Sequence, residues 1–271
     1  MIAGFQGEPG AYSEEAALAV FPAAEVAGFR SFEDVFEALA TGGVDVAVLP
    51  VENSLAGIVQ EVNDLLWDRG GIRVTAEHVH PVEHCLLGQP PVSRVISHPQ
   101  ALAQCRRYLA AAGIDAVPFH DTAGAAREVA ATPSPGLGAI ASAAASRRYG
   151  LPVIASGIQD DSSNRTRFLV LERGFGVRPR DGRPGDKVSL AFMAAHRPGS
   201  LVLVLDAFAE RTINLTRLDS RPLPAQPFHY RFHLDFEVGD PGAAEAALRE
   251  AEHRASEVRL FGTYRPASRL D

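Results

Sequence analysis

The feature that most constrains the fold is a pattern that recurs along the first 142 residues. A short apolar run ends in small polar residues, and these residues begin a helical segment. Such apolar runs are typical of strands, and the polar residues that follow are favoured at helix N-termini. Strands that alternate with helices predict parallel βαβ units, in which ligands bind beyond the carboxyl ends of the strands. The junctions lie at residues 2–13, 46–54, 95–99, 117–122 and 139–142.

The same pattern indicates the charge of the ligand. Several helix N-termini would converge on one crevice, and each offers unpaired N–H groups and about half a positive charge. We therefore expect a small anion such as a carboxylate. The formal net charge of -7 at pH 7 provides no general attraction for an anion, so the site must be formed locally.

Two segments stand out as candidate site regions. The polar run 160–167 opens directly onto the apolar run 168–171, and loops at strand edges usually carry function, although a plain solvated connection is the alternative. Asn53 precedes a set of apolar residues at helical spacing, so it is equally well explained as a helix N-cap or as a site residue. That apolar set, which predicts a helix directly after Asn53, comprises Leu55, Ile58, Val59, Val62, Leu65 and Leu66.

Four motifs, in order along the chain, resemble prephenate dehydratase, the cofactor-free enzyme of phenylalanine biosynthesis. The resemblance implies decarboxylating dehydration of prephenate to phenylpyruvate, water and carbon dioxide. It also implies a two-lobed catalytic domain of the periplasmic-binding-protein type over residues 1–175, with lobe one at about 1–77 and 157–175 and lobe two at about 78–156. The motifs are GEPGAYS at 7–13, PVENS at 50–54, SHPQAL at 97–102 and NRTRF at 164–168.

The resemblance also assigns roles to individual residues. Thr166 would donate a hydrogen bond to the departing oxygen, because a hydroxyl held in a dry pocket can stabilise charge that develops there. A surface salt bridge is the alternative for Arg167, and an exposed helix position is the alternative for Gln104. The acidic position that the family uses near 120–122 stays open. The predicted catalytic residues are Thr166, Glu52, Asn53 and Gln104, and the predicted substrate-binding residues are Ser54, Ser97, Arg167 and Phe168.

The C-terminal third has a different pattern. Residues 176–186 are rich in glycine, proline and charge, which marks a linker before a domain at 187–271. Strands are predicted at 187–193, 213–218 and 258–264, together with one at 228–236 whose apolar residues alternate with polar ones. Helices at 200–210 and 242–254 complete the order βαββαβ of a ferredoxin-like fold.

This region resembles an ACT domain of the type attached to prephenate dehydratase. The resemblance implies feedback control by L-phenylalanine bound between subunits, and therefore a homodimer or a dimer of dimers. Two positions depart from the family, which usually has Ala at 200 and Glu at 219, and both departures bear on ligand preference. The implied effector site comprises Gly199, Ser200, Leu201, Asn214, Asp219, Ser220, Arg221 and Pro222.

Composition and charge favour a cytoplasmic enzyme without nucleic-acid or membrane partners. No apolar run approaches transmembrane length, and the N-terminus enters a strand without a basic segment or a cleavage site. A net charge of -7 gives no electrostatic reason to expect nucleic acid or an anionic membrane as a partner. Cys85 and Cys105 are expected to be reduced core thiols.

The histidines do not predict a metal site. His78 and His80 could converge on one strand face, but His84 would need a turn to join them, so no metal is expected. The resemblance to prephenate dehydratase implies that no cofactor is needed. His229 and His233 fall on the polar face of their strand and are predicted to face solvent.

Two other functions fit the same pattern. A non-catalytic amino-acid sensor would share the architecture, and it would need no hydroxyl donor at position 166. Arogenate dehydratase would perform the same elimination on a substrate that carries an amino group. No Gly-x-Ser-x-Gly nucleophile elbow is present.

Overall fold

The computed structural model describes residues 1–223 and 226–267, without the side chains of residues 226–228. The predicted apolar alternation at Phe228 therefore lies outside the described residues. Contacts divide the chain into two compact units. Unit 1 comprises Met1–Val62 and Val79–Phe168, and unit 2 comprises Asn63–His78 and Leu169–Asp271.

The first sheet begins with β1 (Ile2–Gln6), which pairs in parallel with β2 (Glu25–Phe29) and with β3 (Val46–Asn53). A short β4 (Gly57–Ile58) folds back on β3 as a hairpin. Two further strands, β5 (Ile72–Pro81) and β11 (Arg165–Arg173), complete the order β2-β1-β3-β11-β5.

The second sheet lies in unit 1 and has the order β10-β6-β9-β7-β8. In it β7 pairs in parallel with both of its neighbours, whereas β6 pairs antiparallel with both of its own. This mixture confirms the predicted α/β class with parallel βαβ units. The strands are β6 (Cys85–Gly88), β7 (Arg94–Ser97), β8 (Asp115–Pro118), β9 (Leu137–Ala141) and β10 (Val153–Ser156).

Helices follow most of the predicted strand ends. Asp121 caps one helix by accepting a hydrogen bond from the Gly124 N–H, and Ser142 caps another by accepting from the Ala145 N–H. Pro99 occupies a first helical position, as predicted. The helices are α1 (Tyr12–Val20), α2 (Phe32–Thr41), α3 (Gln60–Asp68), α4 (Pro99–Gln104), α5 (Arg106–Ala112), α6 (Thr122–Ala131) and α7 (Ala143–Tyr149).

The helix predicted directly after Asn53 is wrong in its first half. Asn53 is the last residue of β3 rather than an N-cap, and α3 begins only at Gln60. Gly57 has a φ of 83°, a left-handed conformation that suits the turn of the β3–β4 hairpin and that an α-helix does not contain. The spacing of Leu55 and Ile58 therefore coincides with a helical period without belonging to a helix.

The C-terminal sheet has the predicted βαββαβ order. Its strands follow the sequence β13-β14-β12-β15, and α8 and α9 cover one face. The core on that side includes Leu190, Phe192, Leu234 and Phe236. The elements are β12 (Lys187–Met193), α8 (Ser200–Ala209), β13 (Leu215–Leu223), β14 (Gln226–Glu237), α9 (Pro241–Arg254) and β15 (Glu257–Tyr264).

The opposite face of this sheet is also buried, so the prediction that His233 faces solvent is wrong. His233 is only 3% exposed, and Arg231 beside it is equally buried. Residues of α3 supply the cover, because Asp64 accepts a hydrogen bond from Arg231 and the Trp67 ring lies 5.2 Å from the Arg231 guanidinium carbon. These partners are some 167 positions apart in the chain, so the alternation of β14 alone could not predict them.

Residues 174–186 contain one 3₁₀ turn, Pro179–Asp181. Arg178 forms ion pairs with Glu245 and Glu252 of α9 at 2.8 Å and 3.0 Å.

Cys85 and Cys105 are buried free thiols, as predicted, and burial raises the pKa of Cys105 to about 12. No helix within the described residues has both the length and the apolar character needed to cross a membrane.

Candidate active site

A cavity of about 440 Å³ lies in unit 1, where several strand-to-helix junctions meet. The β1–α1 loop, the β3–β4 hairpin, the start of α4 and the start of α6 all contribute to its wall, together with β11. The crevice predicted from the alternating pattern is therefore present. Its wall is formed by Gln6, Gly7, Ala11, Tyr12, Ser13, Pro50, Asn53, Ala56, Gly57, Ile58, Val59, Val82, His84, His98, Gln100, Ala101, Gln104, Asp121, Thr122, Asn164, Thr166 and Phe168.

Asn53 and Thr166 meet in this wall. The Asn53 Nδ2 atom donates to the Thr166 Oγ1 atom at 3.0 Å and to the Asn164 Oδ1 atom at 2.8 Å. Its Oδ1 atom accepts from the backbone N–H groups of Leu55 and Ala56 at 3.1 Å and 2.9 Å. The hairpin turn therefore holds the Asn53 amide in one orientation, with its nitrogen toward Thr166.

Gln104 continues the same chain of hydrogen bonds. Its Oε1 atom accepts from Asn164 Nδ2 at 2.9 Å and lies 2.9 Å from His84 Nε2. The Tyr12 hydroxyl lies 2.8 Å from His84 Nδ1 and 2.8 Å from the carbonyl oxygen of Glu83. The wall thus contains one continuous polar network from Thr166 to Tyr12.

Burial shapes the electrostatics of this network. It lowers the pKa of His84, which favours the neutral imidazole, and it raises the pKa of Tyr12 well above its ordinary value. Phe168, only 1% exposed, supplies an apolar part of the wall. Among the wall residues Asp121 is the one carboxylate, and none is a lysine or an arginine.

The structure does not bring Glu52 and Arg167 to the cavity. Successive residues of a strand point to opposite sides, so Asn53 and Thr166 face the cavity while their neighbours face away. Glu52 and Arg167 instead form an ion pair, with Oε2 and NH1 3.7 Å apart.

The two predicted serines are also outside the cavity wall. Ser54 accepts from the Arg165 N–H at 2.9 Å, which joins the β3–β4 hairpin to the start of β11. The Ser97 hydroxyl is fully buried and donates to the Ile140 carbonyl at 2.6 Å, which links neighbouring strands of the second sheet. Both hydroxyls are thus used in backbone support.

Three members of the network were missed as site residues: Tyr12, His84 and Asn164. Tyr12 and Asn164 lie within two of the motifs that carry the resemblance, so motif membership was a signal for them. His84 was considered only as a metal ligand. Across residues 1–223 and 226–267, no three His, Cys, Asp or Glu side chains are grouped to hold a metal ion, and His80 instead pairs with Glu15 at 3.2 Å.

A second cavity, of about 290 Å³, lies in unit 2. Of the predicted effector residues, Ser200 and Leu201 line it, next to Gly199, which precedes α8 with a φ of 81°. The Ser200 hydroxyl donates to the Arg197 carbonyl at 2.9 Å. The hydroxyl that replaces the usual alanine of the family therefore has its hydrogen-bond partner within the same loop. The other lining residues are Ala194, Ala195, His196, Arg197, Pro198, His229, Tyr230 and Phe232.

The remaining predicted effector residues lie on or next to the edge strand β13 and do not line this cavity, although Ser220 and Pro222 pair with the lining residues Phe232 and Tyr230 of β14. Arg221 binds Asp64 at 2.7 Å, and Asp219 pairs with Arg217. Asn214, Ser220 and Pro222 are exposed. Within one chain, the structure therefore places only the first of the two predicted effector loops in the cavity wall.

Comparisons with known proteins identify the family to which this chain is similar. The family model described as prephenate dehydratase matches residues 3–175. The chain is 42% identical to arogenate dehydratase/prephenate dehydratase 1, chloroplastic, of Arabidopsis thaliana, over 96% of this chain and 71% of the relative. It is also 42% identical to arogenate dehydratase 1 of Petunia hybrida, over 96% of this chain and 66% of the relative. The chain thus spans about two thirds of the length of these plant relatives.

Two solved structures are similar over nearly the whole chain. Prephenate dehydratase in complex with L-Phe from Arthrobacter aurescens has a TM-score of 0.87 at 28% identity, over 98% of this chain and 90% of the other. GqqA, described as a novel type of quorum quenching acylase, has a TM-score of 0.89 at 34% identity, over 99% and 98%.

The prediction of a cytoplasmic location is wrong by these comparisons. Several of the plant relatives are named chloroplastic, among them arogenate dehydratases 3 and 5 of A. thaliana. Composition and net charge bear on folding and solubility, and they do not distinguish one aqueous compartment of the cell from another.

Proposed function

The chain belongs to the prephenate dehydratase family, and we propose that it converts prephenate to phenylpyruvate, water and carbon dioxide without a cofactor. The family and the dehydratase class are those that the four sequence motifs predicted. The geometry around Thr166 supports the elimination, and the surroundings of Asp121 support the finer step, the choice of prephenate as substrate.

The single observation that carries the proposal is the state of the Thr166 hydroxyl. Asn53 donates to Thr166 Oγ1, and among the described residues no acceptor takes the hydroxyl hydrogen. A hydroxyl that accepts one hydrogen bond while its own hydrogen is uncommitted is a ready donor. Since Thr166 lines the cavity, that hydrogen is available to a bound ligand.

This donor matches what the elimination requires. The bond between the ring and its carboxylate breaks, carbon dioxide leaves, and the electron pair enters the ring. The ring C–O bond breaks with its pair on oxygen, which must gain one proton to leave as water. A hydrogen bond from Thr166 to that oxygen stabilises the charge as it develops, and the aromatic product supplies the driving force.

The cavity binds two carboxylates without a cationic side chain in its wall. Gln104 Oε1 is held by two neighbours, so its Nε2 hydrogens, which have no acceptor among the described residues, remain for an anion. The N-terminal ends of α1 and α6 contribute Tyr12 and Thr122 to the wall, and their backbone N–H groups add partial positive charge. This neutral arrangement replaces the role that the sequence suggested for Arg167.

Arogenate is the second candidate substrate, since the names of the plant relatives include arogenate dehydratase. Arogenate carries an ammonium group, which favours a carboxylate partner. Asp121 is the one carboxylate in the described cavity wall, and each of its oxygens already has a partner, the Gly124 N–H and His120 Nε2 at 2.9 Å, which weakens its attraction for an ammonium group. The cavity therefore favours the keto substrate, prephenate.

Acylase activity, which the GqqA title assigns to that protein, needs a nucleophile activated by a base. The aliphatic hydroxyls of the cavity wall are those of Ser13, Thr122 and Thr166. Within the described part of the chain, none of these three is hydrogen-bonded to His84 or His98, the two histidines of the wall. The Tyr12 phenol does contact His84, but burial raises its pKa well above the ordinary value, which disfavours the phenolate that a nucleophile would require. The geometry thus supports elimination over hydrolysis.

The test is turnover by the purified chain of three substrates at equal concentration: prephenate, arogenate and an acyl amide. We expect prephenate to give the largest kcat/KM, with phenylpyruvate formation followed by its absorbance. A larger kcat/KM for arogenate would reassign the substrate within the family. Turnover of the acyl amide alone would overturn the proposal, and no turnover of any substrate would favour the amino-acid sensor.

We further propose that residues 187–271 form an ACT domain that binds L-phenylalanine, with a linker at 176–186 and the catalytic domain at 1–175. The cavity at Ser200 and Leu201 has a size suited to an amino acid, and the A. aurescens structure is a complex with L-Phe. The β13 residues Asp219 to Pro222 do not line this cavity. Pairing of two ACT domains would bring the β13 residues of a second copy to the ligand, so we propose a dimer or a dimer of dimers.

Calorimetry with L-phenylalanine tests this regulatory proposal. We expect binding at or below millimolar concentration and reduced prephenate turnover, with a reciprocal coupling free energy of about 1–3 kcal/mol. Leu201→Ala should weaken binding, whereas the exposed control Leu18→Ala in unit 1 should not. Absence of binding at millimolar phenylalanine would remove the proposal and leave the catalytic one untouched.

A further inference from the structure

In unit 1, the backbone fixes the donor-to-acceptor direction of a series of side-chain hydrogen bonds. Backbone N–H groups can only donate, so the Leu55 and Ala56 N–H groups identify the Asn53 oxygen and turn its nitrogen toward Asn164. The assignment of nitrogen and oxygen in this amide therefore does not depend on its side-chain neighbours.

The direction passes from Asn53 to Gln104. Asn164 Oδ1 receives the Asn53 hydrogen at 2.8 Å, so Asn164 must present its nitrogen to the next residue. That nitrogen donates to Gln104 Oε1 at 2.9 Å. Asn164 is fully buried, which makes a reversed amide costly because the mismatched groups would lose their hydrogen bonds.

Gln104 then determines the hydrogen on His84. The Gln104 Oε1 atom only accepts, so the His84 Nε2 atom 2.9 Å away must carry a hydrogen. The other ring nitrogen faces the Tyr12 hydroxyl at 2.8 Å. In a neutral ring Nδ1 accepts from Tyr12, and in a charged ring Nδ1 donates to Tyr12 while Tyr12 donates to Glu83. Nε2 keeps its hydrogen in both cases.

We propose that His84 and Tyr12 are positioning residues, which hold the Gln104 amide so that its nitrogen, and not its oxygen, faces an anionic ligand in the cavity. Gln104 Oε1 has two donors, Asn164 and His84, and the reversed amide would place its nitrogen against both of them. The reversed amide would also present its oxygen to a carboxylate. This inference rests on the proposed function, since only an anionic substrate makes the direction matter.

A double-mutant cycle separates positioning from general support of the fold. We would measure kcat and KM for the wild-type protein, for His84→Met, for Gln104→Ala and for the double variant. His84→Met keeps apolar bulk and removes the Nε2–H donor. We expect it to lower kcat/KM about tenfold, mainly through KM, because a misdirected amide loses a hydrogen bond to a charged ligand.

On the Gln104→Ala background the same substitution should change kcat/KM less than about twofold, because two residues that act through one contact are not additive. His84→Gln, which offers an N–H donor to Gln104, should restore kcat/KM to within about threefold of the full chain. An equal loss from His84→Met in both backgrounds would overturn the proposal, as would no loss at all in the first.

Tyr12→Phe tests the other end of the chain. It removes the hydrogen that Tyr12 shares between His84 and Glu83, and we expect a KM increase of about threefold. Tyr149→Phe is the matched control, because the Tyr149 hydroxyl also donates to a backbone carbonyl, that of Pro9 at 2.6 Å, but lies outside the cavity wall. Equal effects of the two variants would assign Tyr12 to structural support.

A spectroscopic readout makes failure of this inference distinguishable from failure of the proposed function. Long-range ¹H–¹⁵N spectra of the histidine rings should show His84 with hydrogen on Nε2, whether or not the chain turns over prephenate. A ring with hydrogen on Nδ1 alone would overturn the inference. The same spectrum with no turnover of prephenate would instead count against the proposed function.

Discussion

The active-site cavity of unit 1 and the buried sheet face of unit 2 solve the same problem in opposite ways. Both place polar side chains in buried or partly buried positions. The cavity uses neutral amides, hydroxyls and one imidazole that are joined by directional hydrogen bonds. The sheet face instead gathers arginines against α3, where Asp64 pairs with both Arg221 and Arg231.

The difference reflects what each region must do. A directed chain of amides fixes which atoms are donors without adding charge, which leaves the cavity able to receive an anion. Paired charges hold an interface strongly, but they depend on each partner being present and ionised. We therefore expect substitutions in the cavity to affect turnover, and substitutions on the sheet face to affect the free energy of unfolding.

The largest effect should come from removing the Thr166 hydroxyl. Thr166→Val keeps the shape of the side chain and should lower kcat by about two to four orders of magnitude, because it removes a positioned donor. Thr166→Ser keeps the hydroxyl and should retain far more turnover. Unchanged melting temperatures would verify that both variants fold. Wild-type turnover in Thr166→Val would reduce Thr166 to a strand residue without a chemical role.

The next effect concerns His233 and pH. Burial, together with Arg217 and Arg231, lowers the pKa of His233 to about 3. The unfolded chain, with an ordinary histidine pKa of about 6.5, then binds more protons between pH 6.5 and 3. The free energy of unfolding should therefore fall as pH falls through that window, by about 2 kcal/mol from pH 6.5 to 5 and up to about 4 kcal/mol at pH 3.

Trp67 offers a probe of this loss. It is the single tryptophan of the chain and lies in unit 2, near Arg231. Urea unfolding followed by its fluorescence at pH 5 to 8 should show the decline in the wild type. His233→Gln keeps an acceptor for Arg231 and has no proton to gain, so its curve should be flatter. Parallel curves for the two proteins would mean that His233 does not carry the effect.

Thr166 and His233 also show how much of the structure could be predicted from the sequence. Thr166 was placed beside Asn53 because motifs that resemble a known family define one site, and short apolar runs locate the strands. The burial of His233 could not be predicted, since its cover comes from α3, far away in the chain. Period-two alternation predicts that the apolar face of a strand is buried. It does not predict burial of the opposite face, which here is covered by paired charges.

The same limit explains the β3–β4 hairpin. Local spacing of apolar residues favoured a helix from residue 55, and only the conformation of Gly57 and its pairing with Asn53 exclude it. The chain from Asn53 to Tyr12 was likewise beyond sequence reasoning, because its direction depends on hydrogen bonds between residues in different motifs. Local patterns predict elements, whereas the direction of a polar network requires coordinates.

A smaller effect should follow from Asp64→Asn. The substitution removes the negative charge opposite Arg231, which is buried, and should cost about 2 kcal/mol of the free energy of unfolding. Asp64 itself is 30% exposed, which keeps the cost below that of a fully buried pair. Glu210→Gln is the control, since Glu210 is 56% exposed and its ion pairs should contribute little. Equal losses would show that burial of the pair does not matter.

The smallest effect tests whether a motif residue can be purely structural. Ser97 belongs to a motif that resembles the family, yet its buried hydroxyl donates to the Ile140 carbonyl at 2.6 Å and does not line the cavity. Ser97→Ala should therefore lower the free energy of unfolding by about 1 kcal/mol, the typical value of one hydrogen bond. The kcat/KM per folded molecule should stay within about threefold of the wild type, because no cavity atom is removed. A hundredfold loss of kcat/KM at unchanged stability would mean that Ser97 reaches the substrate, and that the division between directed donors in the cavity and structural support behind it is drawn in the wrong place.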